Sequence, residues 1–444
     1  MTRAPSTYLE KSDDLTYFCA TLTPLPSPPR PNCTLQFRVF DDSDPPLTES
    51  PSPFVRSAWA TLLDKYPGEL PKLIDGIITY GCKIGFTGPH NHHLSKNLST
   101  ALLDAPKMTA TLLEDLKRKR VLQVDGESPF IGSPLGFVPK PGGKLRRIHH
   151  LSHPRNSSTN DGIKQSKAAF RYETVRRVCK QVLQAGRGCY IMKRDWEAAF
   201  RTIPVSPSDR WLLGFRWLGQ FYTECCLPFG LRTAPIIFNL FAEALHWILE
   251  SQLGWELVSH YLDDIIIVIR ELDFSSIDKM TSEFITLTDL LGIPRNDAKN
   301  EYGQKVSVLG YLLNTNTFEM SIPNDKITKI RNAIDNALRK QIITLQEVQS
   351  IAGLLSWASP AIQLGWVFCK KLWSFEAQFI RNRPQMHLLI PLEVIQDLQW
   401  WHDAMTNFNG VRFFDDPSRI PFHLFTDACK KGMGGFYYER GSSE

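Results

Sequence analysis

Two adjacent carboxylates, Asp263 and Asp264, stand between Tyr261-Leu262 and the β-branched run Ile265-Ile266-Ile267-Val268. Such a run reads as a strand buried on both faces. Like charges side by side repel, so a chain that sets them against a buried strand needs something positive to neutralise them. A divalent cation is the usual solution. Trp255 to Leu262 supplies a partner strand, which puts both aspartates on the tight turn of a hairpin, pushed out of a hydrophobic base. That geometry suits phosphoryl transfer in which two ions, roughly 3.5–4 Å apart, clamp the attacking and leaving oxygens.

The chain is large enough to build that base. Its 444 residues allow two to four domains, and 43% hydrophobic with 22% charged residues describes an ordinary globular protein. No run of 18 or more apolar residues is present, so no membrane partner is expected. Met1 to Lys11 lacks the apolar core of a signal peptide. Nine cysteines without a Cys-x-x-Cys pair read as reduced thiols. An intracellular, unsecreted protein is expected, with nucleus and cytoplasm both open. The histidine clusters His90, His92, His93 and His149, His150, His153 have no cysteine at ligand spacing, so zinc is not expected there. Between Lys117 and Arg201 stand 19 Lys and Arg against 6 Asp and Glu. Such an excess fits either a docked polyanion or a solvated basic face.

Residues 21–53 are Pro- and Ser-rich and read as linker, within an N-terminal region (1–105) that carries no functional signal. Phe54 to Leu63 is a modest helical segment. Thr109 to Val121 reads as a helix ending in Lys117-Arg118-Lys119-Arg120. That cluster fits a localisation signal, a template-contacting surface or a solvated helix end. Leu135 to Val138 and Leu145 to Ile148 are short strands joined by a basic turn, Pro139 to Lys144. Tyr190 to Met192 is a strand ending at Asp195, and Ala234 to Leu249 is a helix with Phe238, Phe241, Leu245 and Ile248 on one stripe. After Ile322 the pattern is helical, with Ile327, Ile330, Ile334 and Leu338 in register. Thr344 to Glu347 is a capping box that opens a helix running to about Trp357.

Asp195 is the natural third carboxylate. It precedes Phe200, then Leu227-Pro228-Phe229-Gly230 with Pro235, then Tyr261-Leu262-Asp263-Asp264, then Lys299 and Leu309-Gly310. These blocks, in this order behind a basic hairpin, resemble reverse transcriptases from about residue 100 onward. The phrasing is most similar to DIRS-like retroelements, at Ser133-Pro134-Leu135-Gly136, Arg147-Ile148-His149, Asn160-Asp161-Gly162-Ile163 and Leu213-Gly214-Phe215. Gypsy-like elements are next.

The resemblance implies an α+β right-hand polymerase: fingers and antiparallel-sheet palm over 106–322 and a helical thumb and connection over 323–418. It implies an RNA-directed DNA polymerase that adds dNTPs to a primer 3′-end on RNA or DNA. Asp195 and Asp263 would hold two Mg²⁺ ions, with Mn²⁺ as the alternative, and Asp264 would contribute a weaker contact. Arg146 and Lys140 would grip the triphosphate, Lys144 being interchangeable with Lys140. Phe200 would lie beneath the sugar and exclude a ribose 2′-hydroxyl. Phe229, Gly230 and Pro235 would pack against the nascent base pair and template, and Tyr261 is a further substrate-binding candidate. Lys299 would protonate the leaving pyrophosphate, unless it is an ordinary surface lysine. A recombinase or capsid protein of the same element is an admissible partner.

Two departures weigh against simple transfer. His150 stands where the family commonly has an acidic residue, and Phe229 where retroviral enzymes often have glutamine. Phe425-Thr426-Asp427-Ala428 resembles the opening strand of a ribonuclease H domain (419–444). Its further carboxylates are missing, so no ribonuclease H activity is expected from these residues. Two rivals remain: an RNA-dependent RNA polymerase, disfavoured by Phe200, and a catalytically inactive or domesticated nucleic-acid-binding remnant.

Overall fold

The computed structural model describes residues 35–89, 92–124, 131–139, 143, 145–270, 276–380, 383, 385–408, 411–412, 422–429 and 432–439, the last three segments as backbone only. Lys140, Lys144 and His90 lie outside these residues, as does the Asp427 side chain. The chain divides into two compact units, one over Pro26–Leu309 and one that includes Gly310–Glu444.

In chain order the first unit carries α1 (Arg56–Leu62), α2 (Leu70–Tyr80), α3 (Ala105–Lys117), β1 (Val121–Val124), β2 (Leu135–Pro139), β3 (Leu145–His149), α4 (Val175–Ala185), β4 (Tyr190–Asp195), β5 (Gly214–Trp217), β6 (Gln220–Glu224), α5 (Ala234–Leu253), β7 (Val258–Tyr261), β8 (Asp264–Ile269), α6 (Ile277–Leu291) and β9 (Glu301–Gly303). The expected palm falls on an antiparallel four-stranded sheet, β9-β4-β8-β7. Ile265 to Ile269 are at most 4% exposed, as the unbroken apolar run demands of a strand covered on both faces. α4 packs on β8 and α5 on β7. α5 begins with Pro235 in its first turn and ends at Gly254, whose φ of +70° permits the left-handed cap.

The described residues before 105, unassigned from sequence, pack into the core of this unit. Phe54 stacks on Phe241 with centroids 4.8 Å apart, and the buried Trp59 indole donates to the Leu291 carbonyl at 3.0 Å. Those two rings close the base of the helix layer under the sheet.

The fingers pair β2 with β3 and, separately, β1 with β6 and β6 with β5. Here one expectation fails. The helix read over Thr109–Val121 runs instead over Ala105–Lys117, and Val121 opens β1. The Asp104 carboxylate accepts from the Lys107 N–H and Pro106 sits in the first turn, so the start lies further upstream. Lys119 takes φ +54° and ends the helix, because Val121 is fully buried in a ladder with Glu224. The basic cluster is therefore a helix end and turn, not a helical face.

In the second unit, α7 (Asn324–Lys340) buries Ile330 and Ile334, and α8 (Leu345–Ala358) opens with both hydrogen bonds of the expected capping box. α9 (Leu392–Thr406) packs against α7. Further on, β10 (Phe422–Cys429) and β11 (Gly432–Glu439) pair antiparallel. Among the described residues no helix is long and apolar enough to cross a membrane.

Candidate active site

The register of the palm brings the three carboxylates together. Asp264 lies opposite Asp195 on one side and Tyr261 on the other. The turn residues are therefore Leu262 and Asp263, and Asp264 is the first residue of β8. The expectation that both aspartates sit on the turn is corrected by one residue, because the ladder extends up to Asp264. Leu262 adopts φ +51°, a left-handed conformation that is strained for a leucine. The Trp196 N–H donates to the Asp263 carbonyl at 2.9 Å, tying the turn to the chain just after β4. Asp195, Asp263 and Asp264 thus meet at one end of the sheet.

Their electrostatics show an unmet demand for positive charge. Burial pushes the Asp263 carboxyl above its usual range, and the Asp195 charge pushes the same way. Asp264 is likewise raised, first by burial, then by Asp263 and Asp195 against the opposing pull of Lys193. The Lys299 ammonium donates to Asp195 Oδ1 at 2.7 Å, and that bond raises its own pKa. Lys193 Nζ approaches Asp264 Oδ1 at 4.0 Å. Lys299 and Lys193 approach the carboxylates directly and Arg146 acts on Asp263 from further off, yet burial and mutual repulsion still hold Asp263 and Asp264 above their usual range. The carboxylate set is all oxygen, clustered and under-compensated, which fits a hard divalent cation such as Mg²⁺.

Lys193 was not singled out from sequence, although the signal is there. It lies two residues before Asp195 on the same strand, hence on the same face.

A second wall comes from the fingers. The Arg146 guanidinium sits 4.7 Å from the centre of the Phe229 ring, a cation–π distance. Phe229 packs on Phe200 at 5.4 Å, and Phe200 on Phe238 at 5.7 Å. One aromatic chain therefore links the β2-β3 hairpin to α5, the helix that packs on β7. Gly230 has φ +106°, and a Cβ there would lie 2.4 Å from the His149 carbonyl oxygen, so glycine is required. Asn160 holds the same loop through its side chain, donating to the Gly230 carbonyl at 2.8 Å and accepting from the Arg232 N–H at 2.8 Å. Tyr261 packs on Tyr172 at 5.3 Å.

Beneath this wall lies a buried ionic network. Arg147 bonds Asp115 at 2.6 Å and reaches Glu224 at 3.1 Å, and Arg201 bonds Glu224 at 2.6 Å. Burial alone would raise the Glu224 carboxyl, but the two arginines bring it below its usual range. His149, inside the same network, is driven by burial down to about 4. It stays neutral and bonds the Gly214 carbonyl at 3.1 Å.

Residues 138–313 match the family model of the reverse transcriptase (RNA-dependent DNA polymerase). The chain is 27% identical over 255 residues to the Pro-Pol polyprotein of simian foamy virus type 3, covering 56% of this chain and 19% of that protein. It is 26% identical over 160 residues to Protein P of hepatitis B virus genotype F2, covering 35% of this chain and 17% of that protein. The chain thus spans about a fifth of the curated relatives it matches. Its fold resembles a foamy viral protease-reverse transcriptase in complex with double-stranded DNA, with TM-score 0.56 and 17% identity over 91% of this chain and 68% of that one. A second foamy viral structure, in complex with an RNA/DNA hybrid, gives TM-score 0.55 and 16% identity over 91% and 51%.

Proposed function

We propose that the chain carries a reverse transcriptase domain, the domain of an RNA-directed DNA polymerase, on the strength of the family model that matches residues 138–313. We propose that it extends a nucleic-acid primer with deoxynucleotides on an RNA or DNA template, and that it serves a retroelement of DIRS-like type. The observation that carries the polymerase reading is the convergence of Asp195, Asp263 and Asp264 at one end of the palm sheet. The element type rests on the sequence blocks around Ser133, Asn160 and Leu213. The foamy viral relatives in complex with duplexes lend the template and primer reading their support.

Asp195, Asp263 and Asp264 would hold the Mg²⁺ ions, which when bound acidify the primer hydroxyl and neutralise charge on the departing pyrophosphate. The protein's own groups do the rest. Lys299 is held protonated by Asp195 and so remains a proton donor at the carboxylate end. Arg146, laid over Phe229, is placed for a triphosphate, since its planar fork matches phosphate oxygens. The Phe200 ring, wedged between Phe229 and Phe238, has little freedom to yield to a ribose 2′-hydroxyl. Asn160 and Gly230 fix the loop that presents Phe229.

The test is extension of a DNA primer on an RNA template with Mg²⁺, comparing dNTPs with NTPs in the native chain and in Phe200→Ala. Extension with dNTPs, and a gain of NTP use by at least about tenfold in the variant, supports the reading. Duplex binding with no extension would make the fold a nucleic-acid-binding remnant, and preferred NTP use would make it an RNA polymerase.

A further inference from the structure

Between α5 and β7, beside Tyr261 and Leu262, lies a second cluster that the polymerase reading does not use. Glu243 and His246 are three residues apart on α5 and share one face, and His260 comes from β7. All three are at least nine-tenths buried. One ligand atom from each can be chosen so that all lie within 4.8 Å of one another.

The hydrogen bonds orient both rings. His246 Nε2 lies 3.0 Å from a carboxylate oxygen of Glu250, which only accepts, so that nitrogen carries the hydrogen. His260 Nε2 faces two oxygens, Asn239 Oδ1 at 3.2 Å and Glu243 Oε2 at 3.9 Å, so it carries a hydrogen too. The remaining nitrogens, Nδ1 of each ring, then face one another across 2.9 Å. With both Nε2 atoms donating, two imidazole nitrogens that close share a positive centre, either a proton or a metal ion. Metal-bound histidines show the same arrangement, with the remote N–H given to a carboxylate or carbonyl. A small cavity of about 10 Å³, the room of one water or ion, borders these residues and opens beside Tyr261 and Leu262.

We propose that Glu243, His246 and His260 bind one divalent transition-metal ion of the zinc class. Two imidazoles and a carboxylate are a zinc-type set, unlike the all-oxygen trio at the catalytic end. Tetrahedral coordination with Zn–N of roughly 2.0–2.1 Å needs the Nδ1 atoms about 3.3 Å apart, a separation of a few tenths of an ångström from where they stand. The ion would clip α5 to the strand that leads straight into Leu262 and Asp263. This site does not depend on whether the chain extends primers.

The test uses the chelator-treated native chain, with millimolar Mg²⁺ present throughout to occupy the catalytic carboxylates. Zn²⁺ is titrated in competition with a chromophoric chelator. One equivalent should bind, and His246→Gln and His260→Gln should each weaken it by about 100-fold or more. Asp263→Asn should leave the affinity within about twofold. A zinc-edge X-ray absorption spectrum of the native chain needs no variant and should show two imidazole rings in the coordination shell. No stoichiometric binding, loss of binding in Asp263→Asn alone, or an all-oxygen shell would each overturn the proposal.

Discussion

Two clusters of charge in the first unit are built on opposite plans. In the network beneath the fingers, Arg147 and Arg201 meet Asp115 and Glu224, two positive against two negative, with a neutral histidine between them. At the end of the β9-β4-β8-β7 sheet three carboxylates repel one another, and Lys193, Lys299 and the more distant Arg146 do not bring two of them down to their usual range. A balanced buried network needs nothing from outside and serves to hold strands in place. An unbalanced cluster at a sheet end, next to a strained turn, is poised for an external cation. The contrast separates structural from functional charge without reference to any relative.

Breaking the balanced network should have the largest effect on stability. Arg201→Ala leaves Glu224 buried with one arginine fewer and should cost about 3–5 kcal/mol, read as a lower urea midpoint. The histidine in that network gives a pH signature. Its folded pKa of about 4 lies below the ordinary value of 6.5, so the unfolded chain takes up the proton first. Stability should therefore be full above pH 6.5 and fall as the pH drops towards about 4. His149→Gln should flatten that part of the urea-midpoint profile. A smaller cost, about 1–3 kcal/mol, is expected for Gly230→Ala, which forces a Cβ towards the His149 carbonyl. Its melting temperature should fall, and primer extension should fall with it as Phe229 is displaced.

The unbalanced cluster predicts the opposite sign. Asp263 has its folded pKa raised, so its ionised form destabilises the metal-free chain as pH rises above the ordinary carboxylate range. In chelator at pH 7, Asp263→Asn should melt higher than the native chain. A lower melting temperature would mean that the cluster is a structural network after all.

How much of this was legible in the sequence depends on the distance over which the information is carried. The hairpin that carries the carboxylates is readable because Asp263, Asp264 and the isoleucine run are contiguous, and strand periodicity then fixes the faces. The one-residue shift of the turn was not readable, since it depends on how far the ladder with Asp195 extends. α3 was misplaced because Lys117 to Arg120 continues a helical pattern until Val121 is claimed by its pairing with Glu224, about a hundred residues away. The Arg147–Glu224–Arg201 network and the His246–His260 pair were invisible for the same reason: their members meet only in the folded chain. Lys193 was within reach of strand alternation from Asp195.

The central claim is that the under-compensated carboxylate cluster of Asp195, Asp263 and Asp264 marks the site of primer extension. The most direct test measures extension of a DNA primer on an RNA template by the native chain and by Asp263→Asn, with duplex affinity measured alongside. The account predicts extension by the native chain and a loss of at least about 10³-fold in the variant, several kcal/mol of transition-state stabilisation, with duplex binding unchanged. Comparable extension by the two proteins would contradict it.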